Sequence, residues 1–115
     1  MRSPPPGPVR SRQARIARIQ ARIAALDLVC SGTLLKRTKK CGTPSCRCAT
    51  DPAARHGPYY EWGYLRGGRL RHRMLSPEQA HLLRQALRNY RLIRRLLRLW
   101  EIHTEQIIDA ITSRR

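Results

Sequence analysis

The chain has 115 residues, with 24 Lys and Arg against 7 acidic residues and a formal charge of +17, a length that suits one domain. Such an excess repels itself and adds nothing to a fold, so it points to a polyanionic partner, nucleic acid ahead of an anionic membrane surface or an acidic protein. No stretch approaches the ~18 apolar residues of a membrane span and Met1 to Arg22 holds no apolar secretory core, so a cytoplasmic, bacterial protein without a membrane partner is expected.

Residues 1–11 carry four prolines, Gly7 and two arginines, and read as a disordered basic arm. From there the period changes. Ile16, Ile19, Ile23, Leu26 and Cys30 recur at spacings of three and four, an apolar helical seam flanked by Arg15, Arg18 and Arg22. Gly32 offers a stop, which predicts a basic N-terminal helix over 12–29. The Arg-rich, acid-poor segment from Arg12 to Leu26 also fits a mitochondrial presequence, but an ordinary basic helix is the simpler reading.

Residues 33–38 are short, apolar and partly β-branched, as a strand would be. Residues 39–58 are rich in Cys, Gly and Pro, show no period, and read as a loop that needs an outside source of order. Tyr59 to Leu65 and Leu70 to Leu75 flank Gly67-Gly68, which predicts an antiparallel hairpin over 59–75 and, with the earlier strand, a sheet of two or three strands. Alternation puts Tyr60 and Trp62 on one face, read as core, although Tyr59, Tyr60 and Trp62 could also stack on bases.

Ser76-Pro77-Glu78-Gln79 opens the last element with an N-cap, a Pro at the first helical position and a capping-box Gln. No Gly or Pro follows, which predicts a helix over 77–112, about 54 Å long at 1.5 Å per residue. Ala86, Tyr90, Ile93, Leu97, Trp100, Thr104, Ile107 and Ile111 alternate by fours and threes, a coiled-coil seam open to the first helix, to a second copy in a homodimer, or to a protein partner. Arg84, Arg88, Arg91, Arg95 and Arg98 form a stripe about 160° from that seam. Leu92, Leu96 and Leu99 lie between the two and suit intramolecular packing. A solvated outer face is the plain reading of the stripe. Five arginines with almost no interleaved acid destabilise an isolated helix, which favours a phosphate-facing surface.

The most specific chemistry is Cys41-Gly42-Thr43-Pro44-Ser45-Cys46-Arg47-Cys48, followed by His56. Three cysteines and a histidine are a Cys₃His set of the kind that binds structural Zn²⁺, though C-x4-C-x-C-x7-H is not a common finger spacing. Lys39, Lys40 and Arg47 would favour the thiolate forms. A disulfide framework, unligated buried thiols and a Cys–His catalyst are the competing readings; the last lacks an oxyanion device, so no enzyme is expected. Cys30 reads as core, and His72, His81 and His103 as ordinary strand or helix residues.

Ser31-Gly-Thr-Leu-Leu-Lys-Arg37, Cys41-Gly-Thr-Pro-Ser-Cys-Arg-Cys-Ala49, His56-Gly-Pro-Tyr-Tyr60 and Gly67-Gly-Arg69 together resemble a family of small bacterial and phage proteins defined by a domain of unknown function. The resemblance covers about Ser31 to Ile108. It implies that Cys41, Cys46, Cys48 and His56 are the family's metal-site candidates, and it implies a setting near mobile elements. The arginine-rich helices depart from that family's more acidic pattern.

These readings predict an α+β fold: a basic helix, a small antiparallel sheet with a zinc-tethered loop, and a long coiled-coil-like helix. They predict a zinc-containing nucleic-acid binder, DNA before RNA, that engages phosphates through Lys39, Lys40, Arg47, Arg84, Arg88, Arg91, Arg95 and Arg98. The alternative is an accessory or regulatory subunit docking through its long helix onto a mobile-element or phage enzyme.

Overall fold

A computed structural model of the chain describes residues 7–112. Helix α1 spans Gly7–Ala24, strands β1 Thr33–Lys39, β2 His56–Arg66 and β3 Arg69–Leu75 follow, and helix α2 spans Pro77–Thr112. The fold is α+β. No helix among the described residues is long and apolar enough to cross a membrane. The described residues fall into two compact units, where length predicts one: Cys30–Leu87, and the residues up to Val29 together with those from Arg88 on. Helix α2 contributes to both.

In the sheet unit the three strands are antiparallel in the order β1-β2-β3. Gly67 and Gly68 take φ of +58° and +77°, the left-handed pair a two-residue hairpin requires, and pairing runs up to Arg66 and Arg69 beside them. Strand β2 begins at His56, three residues earlier than the turn residues suggest, because His56 pairs with Lys39 across a bulge in β1. Tyr60, Trp62 and Tyr64 share one face, as alternation predicts. Tyr64 is buried, its ring centroid is 4.2 Å from that of Trp62, and the Trp62 indole N–H donates to the Ser31 carbonyl at 3.0 Å. Buried Ala80, Leu83, Ala86 and Leu87 from the start of α2 complete this core. The opposite face exposes Leu35, Leu65, Leu70 and Met74.

Helix α2 starts where its local code puts it. The Ser76 N–H donates to Gln79 Oε1 at 2.9 Å and the Gln79 N–H donates to Ser76 Oγ at 3.1 Å, a closed capping box.

In the helical unit α1 runs antiparallel to the C-terminal part of α2: Arg12 lies beside His103, and the Asn89 amide donates to the Leu28 carbonyl at 2.8 Å. Two boundaries differ from the sequence reading. Residues 7–11, read as part of a disordered arm, are the first turns of α1, while residues 1–6 lie outside the described residues. Pro8 is tolerated in a first turn, and buried Val9, seven residues before Ile16, extends the apolar seam by two turns. The helix also ends at Ala24, not Val29. Beyond it the Leu28 carbonyl and the Cys30 N–H are taken by Asn89 and by the Ala86 carbonyl, so tertiary hydrogen bonds replace helical ones.

The face of α2 that is buried here also differs from the predicted seam. Leu96, 1% exposed, and His103, seven residues on, are buried, with Leu92 half-buried beside them. Leu97, Thr104 and Ile111 of the seam stay exposed. Ile19 of α1 borders one recess with Leu99 and His103; of the second leucine strip Leu96 is buried and Leu92 half-buried, while Leu99 stays exposed.

Candidate metal centre and basic surfaces

The connection between β1 and β2 is ordered by its own turns. Thr43 to Cys46 forms a turn closed by the Cys46 N–H on the Thr43 carbonyl at 3.0 Å, with Pro44 at the position where its fixed φ is useful. Two single-turn 3-10 segments follow, Arg47–Ala49 and Pro52–Ala54, and Asp51 Oδ1 caps the second by accepting from the Ala53 N–H at 2.9 Å. Gly57 takes φ +123°, and a Cβ there would sit 2.9 Å from the Arg37 carbonyl, so only glycine lets β2 enter the sheet beside His56.

These turns converge the four residues singled out by spacing. The donor atoms of Cys41, Cys46, Cys48 and His56 all lie within 4.8 Å of one another. Cys41 Sγ is 3.5 Å from Cys48 Sγ, and Cys46 Sγ is 3.3 Å from His56 Nε2. A tetrahedral ion with ~2.3 Å metal–sulfur bonds spaces its sulfurs by about 3.8 Å. The set therefore fits one ion, and these residues could hold a metal. Cys48 is buried and Cys41 exposed.

The electrostatics favour thiolates unevenly. Hydrogen bonds from the Thr43 N–H and hydroxyl, then from Cys48 and Cys46, lower the Cys41 thiol to about 6. The Cys48 N–H, then His56, lower Cys46. At Cys48 the Cys41 N–H, which donates to its sulfur at 3.3 Å, pulls the other way, but burial and the neighbouring Cys46 and Cys41 outweigh it and push the thiol up. His56 is raised by its bond to Cys46 and by Cys41. Thr43, which bonds the Cys41 sulfur, is the residue of this candidate site that spacing did not reveal, since a Thr before Pro reads only as a turn residue.

The family defined by a domain of unknown function (DUF6788) matches residues 10–85. The chain belongs to this family. The DUF6788 match takes in the whole candidate metal centre and the sheet, and stops within the first turns of α2. No curated protein and no solved structure matches the chain.

The cations lie in two places. In the sheet unit, Lys39 sits 5.5 Å over the Tyr59 ring, Lys40 is exposed, Arg47 pairs with Asp51 at 3.4 Å, and Arg84 lies 5.4 Å over the Tyr60 ring. In the helical unit Arg88, Arg91, Arg95 and Arg98 line one recess of α2 together with Arg94, which the stripe did not include. Arg15, Arg18 and Arg22 of α1 line a second recess beside His103.

Proposed function

We propose that the chain is a zinc-stapled, cytoplasmic nucleic-acid-binding protein and not an enzyme. The observation that carries this is the exposed row of Arg88, Arg91, Arg94, Arg95 and Arg98 on one side of α2, with no carboxylate within the recess. Forked guanidinium groups pair with phosphate oxygens, and like charges held this close favour a polyanion that screens them. Zn²⁺ suits the three-thiolate, one-imidazole set, and its role is to fix the β1–β2 connection that carries Lys39, Lys40 and Arg47. Arg84 and the loop cations then add contacts from the sheet unit. Duplex DNA is the favoured ligand, with RNA the second arm of any test.

The experiment is a salt titration of metal-loaded, nuclease-treated protein on labelled duplexes. Engaging about 6 phosphates gives a log–log slope of about −5 on DNA. Replacing Arg88, Arg91 and Arg95 by Gln flattens that slope by about 3 and leaves any base preference unchanged, because backbone contacts position without specifying. A slope untouched by the triple replacement removes the helix surface from the proposal. The second reading, a subunit docking onto a larger enzyme, is favoured by the apolar groove on the other side of α2, lined by Leu97, Trp100, Thr104 and Ile108.

A further inference from the structure

Helix α1 covers one flank of the seam of α2, where Asn89, Leu96 and His103 lie. The seam itself and its other flank stay open: Leu97, Trp100, Glu101, Thr104, Glu105 and Ile108 line one apolar groove in the helical unit. The helix is also electrically divided. Arg84 through Arg98 carry six arginines without an acid, whereas Glu101, Glu105 and Asp109 are three of the chain's seven acidic residues. No ion pair to Glu101 or Glu105 forms among the described residues. Arg94 and Glu101 stand on the same open flank, seven residues or about 10.5 Å apart, too far to pair along one helix.

We propose that a second copy of this chain covers the groove, packed antiparallel about a two-fold axis between Arg98 and Leu99. This register pairs the seam from Tyr90 to Ile107 layer by layer: Leu97 meets the partner's Trp100, Ile93 the partner's Thr104, and Tyr90 the partner's Ile107. It sets Arg94 beside the partner's Glu101 twice, once on each side of the axis, and lays each acidic end along the other helix's arginines. Flanking charges of this kind choose orientation in coiled coils. A parallel pair would instead place Arg94 level with the partner's Arg94 and Glu101 level with the partner's Glu101. The self-complementary charge selects a copy of the chain over an unrelated protein. The inference rests on neither metal nor nucleic acid.

Charge exchange tests it in the full, nuclease-treated chain by sedimentation equilibrium at about 0.15 M salt. R94E and E101R each turn two attractions into two repulsions, and each alone weakens the dimer about tenfold. Mixed in equal amounts they restore both attractions, so a heterodimer forms with an affinity within about threefold of the native one, as does the R94E/E101R double variant with itself. Circular dichroism checks that the variants fold, and L97D, which breaks the central layer, gives a monomer if either charge variant does not. A native chain that stays monomeric to about 100 µM, or variants whose mixture gains nothing, overturns the proposal; a groove meant for another protein gives the first of these results.

Discussion

Cys48 shows how unequal the four residues that could hold a metal are. It is the buried member, 1% exposed, and its sulfur both accepts the Cys41 N–H and lies beside the Cys41 thiol. In metal-free protein Cys41, lowered to about 6, is already thiolate at neutral pH. Cys48, pushed above the ordinary thiol value, holds a proton that an incoming ion must displace, and His56 is raised too, so its proton leaves less readily than that of a free imidazole. Zinc uptake near pH 7 is therefore expected to release protons, and occupancy to fall as pH falls. Calorimetry in buffers of different ionisation enthalpy reads the proton count, and elemental analysis of Cys48→Ser, expected to hold no stoichiometric zinc, reads the site. A metal-free native chain, or a metal-replete Cys48→Ser, contradicts this.

His103 is a second titrating residue, and its sign is opposite. Its Nδ1 sits 3.2 Å from Arg12 Nη1. A guanidinium can only donate, so Nδ1 accepts and the ring is neutral. Burial first, then Arg12 and Arg15, hold its pKa below the ordinary 6.5. A base whose folded value is lowered binds fewer protons folded than unfolded between the two values. The stabilising effect is thus complete above about 6.5 and is lost as pH falls toward the folded value. The helical unit is expected to loosen in that window, and His103→Leu to flatten the pH dependence. Hydrogen exchange at Ile19 and Leu96, away from the metal ligands, separates this from acid release of metal.

At the scale of elements, burial ranks two adjacent leucines. Leu96 is 1% exposed and Leu97 46% exposed. Leu96→Ala opens a cavity in the α1–α2 packing and costs about 2–4 kcal/mol. Leu97→Ala costs the isolated chain far less, and its effect grows with protein concentration if a second copy sits on the seam. Thermal denaturation at several concentrations distinguishes them. Ser76→Ala opens the capping box and costs about 1 kcal/mol at any concentration. These elements also show what a sequence can reveal. Helix α2 starts at Pro77 because its cap is local chemistry, written in four consecutive residues. The convergence of the candidate metal ligands was legible because few roles suit three thiols and an imidazole in one aperiodic loop. The end of α1 was not legible, since it depends on Asn89 and Ala86, some sixty residues away, taking the backbone groups that a longer helix would use. The buried face of α2 was hidden for a related reason. Two apolar strips compete there, and only the placement of α1 decides which is core.

For the whole molecule, the question is whether a folded surface or net charge alone binds a polyanion. The formal +17 divides almost evenly, +8 in Cys30–Leu87 and +9 in the remaining residues, so neither unit is the obvious basic half. Equal charge with unequal geometry makes a fair comparison. Lys39, Lys40 and Arg47 lie at the start of or within the connection that carries the candidate metal ligands, and Arg47 is already partly neutralised by Asp51. Arg88, Arg91 and Arg95 share one recess without an acid. Replacing either trio by Gln removes the same three charges. If a shaped surface binds, the helix trio costs more affinity and more salt slope than the loop trio. Stripping the metal refines the comparison. Chelation should loosen the β1–β2 connection, which an ion held by its four candidate ligands would tie together beyond its own turns, and leave the helical unit packed. The loop trio's contribution should then vanish in metal-free protein, while that of the helix trio persists. Fluorescence anisotropy on one duplex, with and without chelator, gives all four values. Equal losses from both trios, unchanged by chelation, would mean that charge count does the binding and the fold does not.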